Sequence, residues 1–175
     1  ASVITPRRGS WTGEPVFCEG FDTVHVTGLV RQVADEFRHD GEVVRLNIDT
    51  SNMGAGVADP LRRDPSFLVL DVFSSSAATE GSIYSTLRDE VWGSLKRWLK
   101  YGSIAKVKRL RDDLVAPRYG FDAHAKLKVE SKKDVRKRRD GKSTDFADSL
   151  ALAVFDAASP EVAEWSPSIV SLSDR

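Results

Sequence analysis

With 175 residues, the chain is long enough for one domain and short for two. Hydrophobic residues make up 41% and charged residues 30%, an ordinary globular composition that excludes collagen-like, low-complexity and wholly disordered proteins. The 26 basic and 26 acidic residues balance, and no stretch approaches the ~20 apolar residues of a membrane-spanning helix. The single cysteine, Cys18, excludes an internal disulfide and a cysteine-based zinc site, which favours a reducing, intracellular setting.

The first half of the chain predicts strands and helices in alternation. Two short strands, Val3 to Thr5 and Pro15 to Glu19, flank a glycine-containing turn and suggest a hairpin. Apolar residues at helical spacing predict a helix from Leu29 to Phe37. A β-branched run, Val43 to Ile48, and an apolar run, Phe67 to Phe73, predict two strands with a glycine-rich turn and a short helix between them. This order predicts a βαβ-like unit.

The second half of the chain predicts further helices and a second hairpin. In chain order these are a long helix over Ser82 to Tyr101, a hairpin over Arg118 to Glu130, a short polar helix over Lys132 to Arg139 and an apolar helix over Thr144 to Ala158. Trp92 and Trp98, on the long helix, are expected to pack in the core. We therefore expect one mixed α/β domain over residues 1–158 and a C-terminal tail, rich in serine and proline, over residues 159–175.

Positive charge is concentrated in one part of the chain. Residues 96–142 hold 17 basic and 6 acidic residues, and the densest stretch, residues 126–142, holds 9 basic and 3 acidic ones. Such a surface attracts a polyanion, although a charge run alone is equally typical of a solvated helix face. The candidates for contacts with nucleic acid are Lys126, Lys128, Lys132, Lys133, Arg136, Lys137, Arg138 and Arg139.

Three aspartates are set apart from the other carboxylates by their position. Asp49 ends a hydrophobic strand, and the carboxyl edge of the sheet is where α/β folds usually carry chemistry. Asp145 and Asp148 are three residues apart, so they share one face of the last, apolar helix. Asp145 also suits the helix N-terminus after a cap at Ser143 or Thr144, whereas Asp148 lies a turn deeper. A divalent cation, Mg²⁺ or Mn²⁺, would relieve the repulsion between such carboxylates.

The order of these features resembles the nuclease domain of large terminase subunits, the genome-packaging motors of tailed bacteriophages. The features that carry the resemblance are Asp49 with Gly54-Ala55-Gly56-Val57 after it, Arg88, Trp92 and Trp98 on the long helix, Glu130-Ser131-Lys132 after the hairpin, the basic helix, and Asp145-x-x-Asp148 before small and apolar residues. Each motif is weak alone, but their shared order makes the combination specific.

The resemblance implies a ribonuclease H-like fold, with a mixed central sheet flanked by helices. It also implies an acidic cluster that binds two ions, Mg²⁺ or Mn²⁺, and cuts concatemeric double-stranded viral DNA during packaging. In that scheme Asp49, Asp148 and Asp145 are the catalytic and metal-binding residues, and Lys132 lies close to the scissile phosphate. The other basic residues would hold the DNA backbone, so we expect cleavage with little sequence specificity.

The resemblance also implies partners outside the sequence given. These are an ATPase domain in the same full-length chain, the small terminase subunit and the portal, all in the cytoplasm of the infected bacterial host and none in a membrane. The family pattern places a first strand with its own catalytic aspartate before the region that matches Ser2 to Gly9. That strand is central in the family's sheet, and we expect it upstream of residue 1.

Two alternative functions stay open at this point. Asp49, Gly54-x-Gly56 and Asp71 partly match a dinucleotide-binding turn, but Asp59 stands where a third glycine is needed and Asp49 would put negative charge near the pyrophosphate. The other alternative is a noncatalytic DNA-binding module that uses only the basic surface. DNA cleavage that requires a metal would favour the nuclease, and DNA retention without cleavage would favour the module.

Overall fold

The structure is a computed structural model that describes residues 2–51, 54–156 and, as backbone, 168–173. Its elements are β1 Ser2–Arg8, β2 Trp11–Thr12, β3 Val16–Cys18, α1 Thr23–Phe37, β4 Val44–Asp49, α2 Gly54–Arg62, β5 Phe67–Val72, α3 Leu87–Trp98, α4 Lys108–Leu114, β6 Tyr119–Phe121, β7 Leu127–Val129, α5 Lys132–Arg138, α6 Asp145–Val154 and β8 Ser168–Ser173.

A mixed sheet forms the centre of the fold. Among the described residues its strand order is β2-β1-β8-β4-β5, with β3 also paired to β1. Strand β1 runs antiparallel to β2, β3 and β8, whereas β4 runs parallel to β5 and β8. The register of β4 and β5 runs from Val44 opposite Phe67 to Asp49 opposite Val72. Because α2 connects these two parallel strands, the predicted βαβ unit is confirmed.

Strand β8 comes from the segment that the sequence analysis assigned to a tail, residues 159–175. Ser168–Ser173 pairs with β1 on one side and β4 on the other, so it holds the central position of the sheet. For these six residues a strand replaces the expected tail. The remaining residues of that segment, and the predicted helix end at Ala157 and Ala158, lie outside the described residues. The first strand that we expect upstream of residue 1 lies outside the sequence given and stays a prediction.

Helices cover both faces of the sheet. The alternation of a strand sends Val3 into the core beneath α3, α4 and α6, and Ile4 into the core beneath α1 and α2. All ten residues of α6 are buried, the polar residues Asp145, Asp148 and Ser149 included. None of the helices in the described part of the chain has the length and apolar character that a membrane span requires.

Local capping explains where the helix boundaries differ from the predictions. The long helix begins at Leu87 rather than Ser82, because Thr86 and Asp89 form a reciprocal capping box. The α6 helix ends at Val154, where Phe155 becomes extended.

Helix α4 was missed, since its seven residues are mostly charged and only Leu110 and Asp113 are buried. The predicted hairpin at residues 118–130 is confirmed by the antiparallel pair β6 and β7.

Candidate functional site

Asp49 lies at the carboxyl edge of the sheet, as the last residue of β4. Its side chain is buried, and Oδ1 accepts hydrogen bonds from the Ser51 backbone N at 3.1 Å and from Ser51 Oγ at 2.5 Å. Its Oδ2 accepts from Ser74 Oγ at 3.1 Å. Among the described residues no cationic side chain pairs with it. The carboxylate is therefore oriented by neutral donors.

The turn after β4 requires a glycine at position 54. A Cβ there would lie 1.8 Å from the carbonyl oxygen of Asp49 and 2.8 Å from its carbonyl carbon. Both neighbours are backbone atoms, so the end of β4 and the start of α2 approach too closely for any side chain. Packing at the acidic edge thus accounts for this glycine, which the dinucleotide-binding alternative had assigned to a pyrophosphate.

We expect Gly54→Ala to lower the free energy of unfolding by about 1–3 kcal/mol, because the strand end must move away from the new methyl group. Urea unfolding measures this change. The matched control is Gly28→Ala on α1, where a Cβ would meet no atom within 4 Å and should leave stability equal or raise it by up to ~1 kcal/mol. A Gly54→Ala protein as stable as the wild type would contradict the close approach.

Asp148 lies in the first turns of α6, and its carboxylate is engaged on three sides. The Trp92 indole N–H donates to Oδ1 at 2.9 Å, and the Thr144 hydroxyl donates to Oδ2 at 2.9 Å. Lys132 Nζ lies 3.4 Å from Oδ2, and the Asp148 side chain is only 6% exposed. A buried carboxylate needs such partners, because desolvation of an unpaired charge is costly. Lys132 therefore compensates the charge of Asp148 directly.

Contacts around α3 link Asp49 and Asp148 through a short chain of hydrogen bonds. Ser74, which donates to Asp49, accepts a hydrogen bond from the Arg88 backbone N at 3.1 Å. Trp92 lies about one helical turn beyond Arg88 and donates to Asp148. A single turn of α3 thus connects the two carboxylates. That the two carboxylates converge on one cation stays a prediction.

Asp145 is buried nearby but has a different partner. It is the first residue of α6, and its carboxylate accepts a hydrogen bond from the Ser143 hydroxyl. Within the described ranges, no group of three or more His, Cys, Asp or Glu side chains is placed to hold a metal ion. Asp49, Asp145 and Asp148 therefore do not together form a three-carboxylate metal site in the described part of the structure.

Residues that neighbour Asp49 and Trp92 carry buried polar atoms without a hydrogen-bond partner. Thr50 Oγ1, Arg88 Nε and Arg88 Nη2 are buried, and none has a hydrogen-bond partner among the described residues. Mg²⁺ commonly binds through only one or two carboxylates and completes its shell with water and phosphate oxygens. The carboxylates of Asp49 and Asp148 fit that mode chemically, and the unpartnered donors beside them fit an anion.

The predicted nucleic-acid contacts separate into two groups. Arg138 and Arg139 bind within the chain, Arg138 to Glu130 at 2.6 Å and Arg139 to Asp113 at 3.0 Å. Lys132 pairs with Asp148. Arg136 lines a polar cavity between α4 and the α5–α6 turn. Within the described part of the chain, those that pair with no acidic side chain are Lys126, Lys128, Lys133 and Lys137.

The ion pair of Glu130 and Arg138 predicts acid sensitivity. The hydrogen bond from Arg138, followed by that from the Arg118 backbone N, lowers the pKa of Glu130 from 4.5 to about 2. Since the folded pKa is the lower one, this contribution to stability is present above pH 4.5 and is lost as the pH falls towards 2. We expect Glu130→Gln to be less stable than the wild type at pH 7 and the difference to shrink at pH 3.

Thermal unfolding at the two pH values measures this difference. Glu14→Gln, which removes an exposed carboxylate, is the control and should track the wild type at both. A Glu130→Gln deficit that is equally large at pH 3 would contradict the assignment to the ionised carboxylate.

Several residues of this site were missed from the sequence. Trp92 was expected only to pack, and it does pack partly buried against the core beneath α6. Its bond to Asp148 has one sequence signal, because a buried indole N–H needs an acceptor. Ser74 and Thr144 carry no such signal, since serine and threonine are common in turns and at helix starts.

Comparison with known proteins gives matches of structure and none of sequence. No protein-family model and no curated protein sequence matches the chain. The nuclease domain of the large terminase subunit gp2 of bacterial virus Sf6 matches with a TM-score of 0.71 and 16% identity, over 88% of this chain and 81% of that chain. A point mutant of that domain with manganese matches with a TM-score of 0.71 and 15% identity, over 88% and 83%.

A third solved structure is that mutant with manganese and β-thujaplicinol, at a TM-score of 0.72 and 17% identity, over 89% of this chain and 82% of that chain. Likeness at this level of identity establishes the fold. The predicted mixed α/β fold of the ribonuclease H-like class is therefore confirmed, and so is the resemblance to terminase nuclease domains in architecture.

Proposed function

We propose that the chain is the nuclease domain of a tailed-bacteriophage large terminase and cuts double-stranded DNA with a divalent cation, Mg²⁺ or Mn²⁺. The observation that supports this most is the chain of hydrogen bonds that connects Asp49 to Asp148 through a single turn of α3. The fold adds support, because similar structures are terminase nuclease domains, two of them with manganese.

In this proposal Asp49 and Asp148 hold the cation, and Asp145, on the same helix as Asp148, serves a second ion. A bound divalent cation supplies an activated water and stabilises the leaving oxygen of a phosphodiester. Trp92 and Thr144 fix the orientation of the Asp148 carboxylate. Lys132 holds its ammonium group beside that carboxylate, where an incoming phosphate would meet it.

In this proposal a group of lysines binds the phosphate backbone of the duplex. Lys128, Lys133 and Lys137 are exposed on β7 and α5, and Lys126 is half-buried just before them. Contacts of this kind neutralise phosphates and carry no base identity, so binding should weaken steeply with salt and depend little on sequence. We propose that these residues place the DNA backbone against the carboxylates.

The biological setting belongs to the same proposal. Cleavage of concatemeric viral DNA during packaging, in the cytoplasm of the infected bacterium, would require an ATPase domain in the full-length chain, the small terminase subunit and the portal. The support for these partners is the likeness in fold to terminase nuclease domains.

Plasmid cleavage tests the proposed activity. Supercoiled plasmids of unrelated sequence are incubated with the protein in Mn²⁺, in Mg²⁺ and in excess chelator. The expected result is relaxation and linearisation with a divalent cation and none with chelator. Gel retention of DNA without cleavage in either metal would overturn the nuclease and support the noncatalytic binding module.

A further inference from the structure

The Arg88 side chain has hydrogen-bond donors that nothing among the described residues accepts. Its Nη1 donates to the backbone carbonyl of Glu130 at 2.9 Å, and its guanidinium carbon lies 5.9 Å from the centre of the Trp92 ring. Its Nε and Nη2 are buried with no acceptor in the described ranges. Burying a donor without a partner costs free energy, and more so for a charged group.

Arg88 also lies between the elements that carry the candidate site. Its backbone N donates to Ser74, whose hydroxyl donates to Asp49. The Trp92 ring beneath its guanidinium donates to Asp148. The Glu130 carbonyl that it binds is two residues before Lys132. Arg88 therefore contacts residues that bind, or lie close in sequence to, both carboxylates and the lysine.

The chemistry of the guanidinium limits which acceptors these donors can bind. Nε–H and one Nη–H form the side of a planar fork that matches two oxygens of a carboxylate or phosphate. A metal ion offers no acceptor, and a single water satisfies only part of the fork. A tetrahedral phosphate next to Asp49 and Asp148 would offer two oxygens at once.

We infer that Arg88 binds non-bridging oxygens of the DNA phosphate held at Asp49 and Asp148, through Nε and Nη2. The inference rests on the proposed nuclease function and names one more substrate contact of that site. It requires the half-buried side chain to turn these two donors towards the DNA. A lysine keeps the charge and loses the fork, so it cannot replace the contact.

Three variants test the inference: Arg88→Lys, Arg88→Met and, as a matched control, Arg97→Lys. Arg97 lies on the same helix and its guanidinium carbon is also 5.9 Å from an aromatic ring, that of Tyr84, but it pairs with Glu80. In single-turnover plasmid cleavage with Mn²⁺, Arg88→Lys should be slower by about 100-fold and Arg97→Lys unchanged. Inorganic phosphate should raise the melting temperature of the wild type and of Arg97→Lys, but not of Arg88→Lys.

The stability of Arg88→Met separates substrate contact from a structural role. Arg88→Met removes two buried unpartnered donors together with the Nη1 hydrogen bond to the Glu130 carbonyl, so its melting temperature without phosphate should stay close to that of the wild type. A clear loss of stability would assign Arg88 to the fold and overturn the inference. The inference would also be overturned if phosphate did not raise the melting temperature of the wild type, or if it raised that of Arg88→Lys equally.

Failure of the nuclease proposal can be distinguished from failure of the inference about Arg88. If the wild type cuts no DNA in any divalent metal, that proposal fails, and the phosphate shift still decides the anion contact. If phosphate then raises the melting temperature of the wild type and of Arg97→Lys but not that of Arg88→Lys, phosphate binding by Arg88 is supported. If phosphate also raises the melting temperature of Arg88→Lys, phosphate binding by Arg88 is refuted.

Discussion

Asp148→Asn is expected to slow metal-dependent DNA cleavage by about 10³-fold while the protein stays folded. The amide keeps the size of the side chain and can still accept from Trp92 or Thr144, but it loses the charge that binds a cation. Electrostatic stabilisation of a transition state by a metal is worth several kcal/mol, and about 4 kcal/mol corresponds to ~10³ in rate. Single-turnover plasmid cleavage in Mn²⁺ measures the loss, and circular dichroism checks the fold.

Two further aspartates serve as comparisons in the same assay. Asp59, exposed on α2 and paired with Arg62, is the matched control, and Asp59→Asn should cut at the wild-type rate. Asp145→Asn should lose less activity than Asp148→Asn, because Asp145 is bonded to Ser143 rather than to Lys132 and Trp92. Wild-type cleavage by Asp148→Asn would remove this residue from the chemistry.

Arg139→Ala is expected to lower the free energy of unfolding by about 3–5 kcal/mol, because it leaves a buried carboxylate without its cation. The Asp113 side chain is 2% exposed and that of Arg139 16%, with 3.0 Å between Nη1 and Oδ1. Burial raises the pKa of Asp113, mainly through desolvation. Arg139 also donates to the Ser143 carbonyl, and Asp113 accepts from the Phe146 backbone N. The pair thus joins α4 and the end of α5 to the start of α6.

Urea unfolding and DNA gel shifts together separate this role from DNA binding. Lys137→Ala, an exposed change on α5, is the control and should stay within about 0.5 kcal/mol of wild-type stability while lowering DNA affinity. If Arg139→Ala unfolds like the wild type and loses only DNA affinity, then Arg139 is a phosphate contact, as its charge alone had predicted.

Much of the fold could be predicted because its signals are local. The β-branched run that became β4, the apolar run that became β5 and the turn between them predicted the parallel unit. The helix boundaries at Leu87 and Val154 depend on caps, which shift an end by a turn without altering the apolar pattern.

Strand β8 was missed because short serine-rich segments carry little strand signal by themselves. Its six residues, Ser168–Ser173, mix three serines with three apolar residues and follow a proline. Pairing with β1 and β4 gives such a segment its structure, and that pairing is a long-range property.

The candidate site, too, could be predicted only in part from the sequence. Asp49 and Asp148 could be singled out because a strand end and the first turn of an apolar helix place them by sequence alone. The bond from Trp92 to Asp148, the pairing of Arg139 with Asp113 and the unpartnered donors of Arg88 arise where separate helices meet. Sequence composition and residue spacing do not predict such contacts between separate helices.

Calorimetric titration with Mn²⁺ tests most directly whether Asp49 and Asp148 form one cation site. The wild type, Asp49→Asn, Asp148→Asn and the double variant are titrated without DNA. Each single variant should bind Mn²⁺ at least about tenfold more weakly, and the double variant should lose less than the sum of the two, because both ligands serve one ion. Wild-type affinity in either single variant, or fully additive losses, would contradict a shared site.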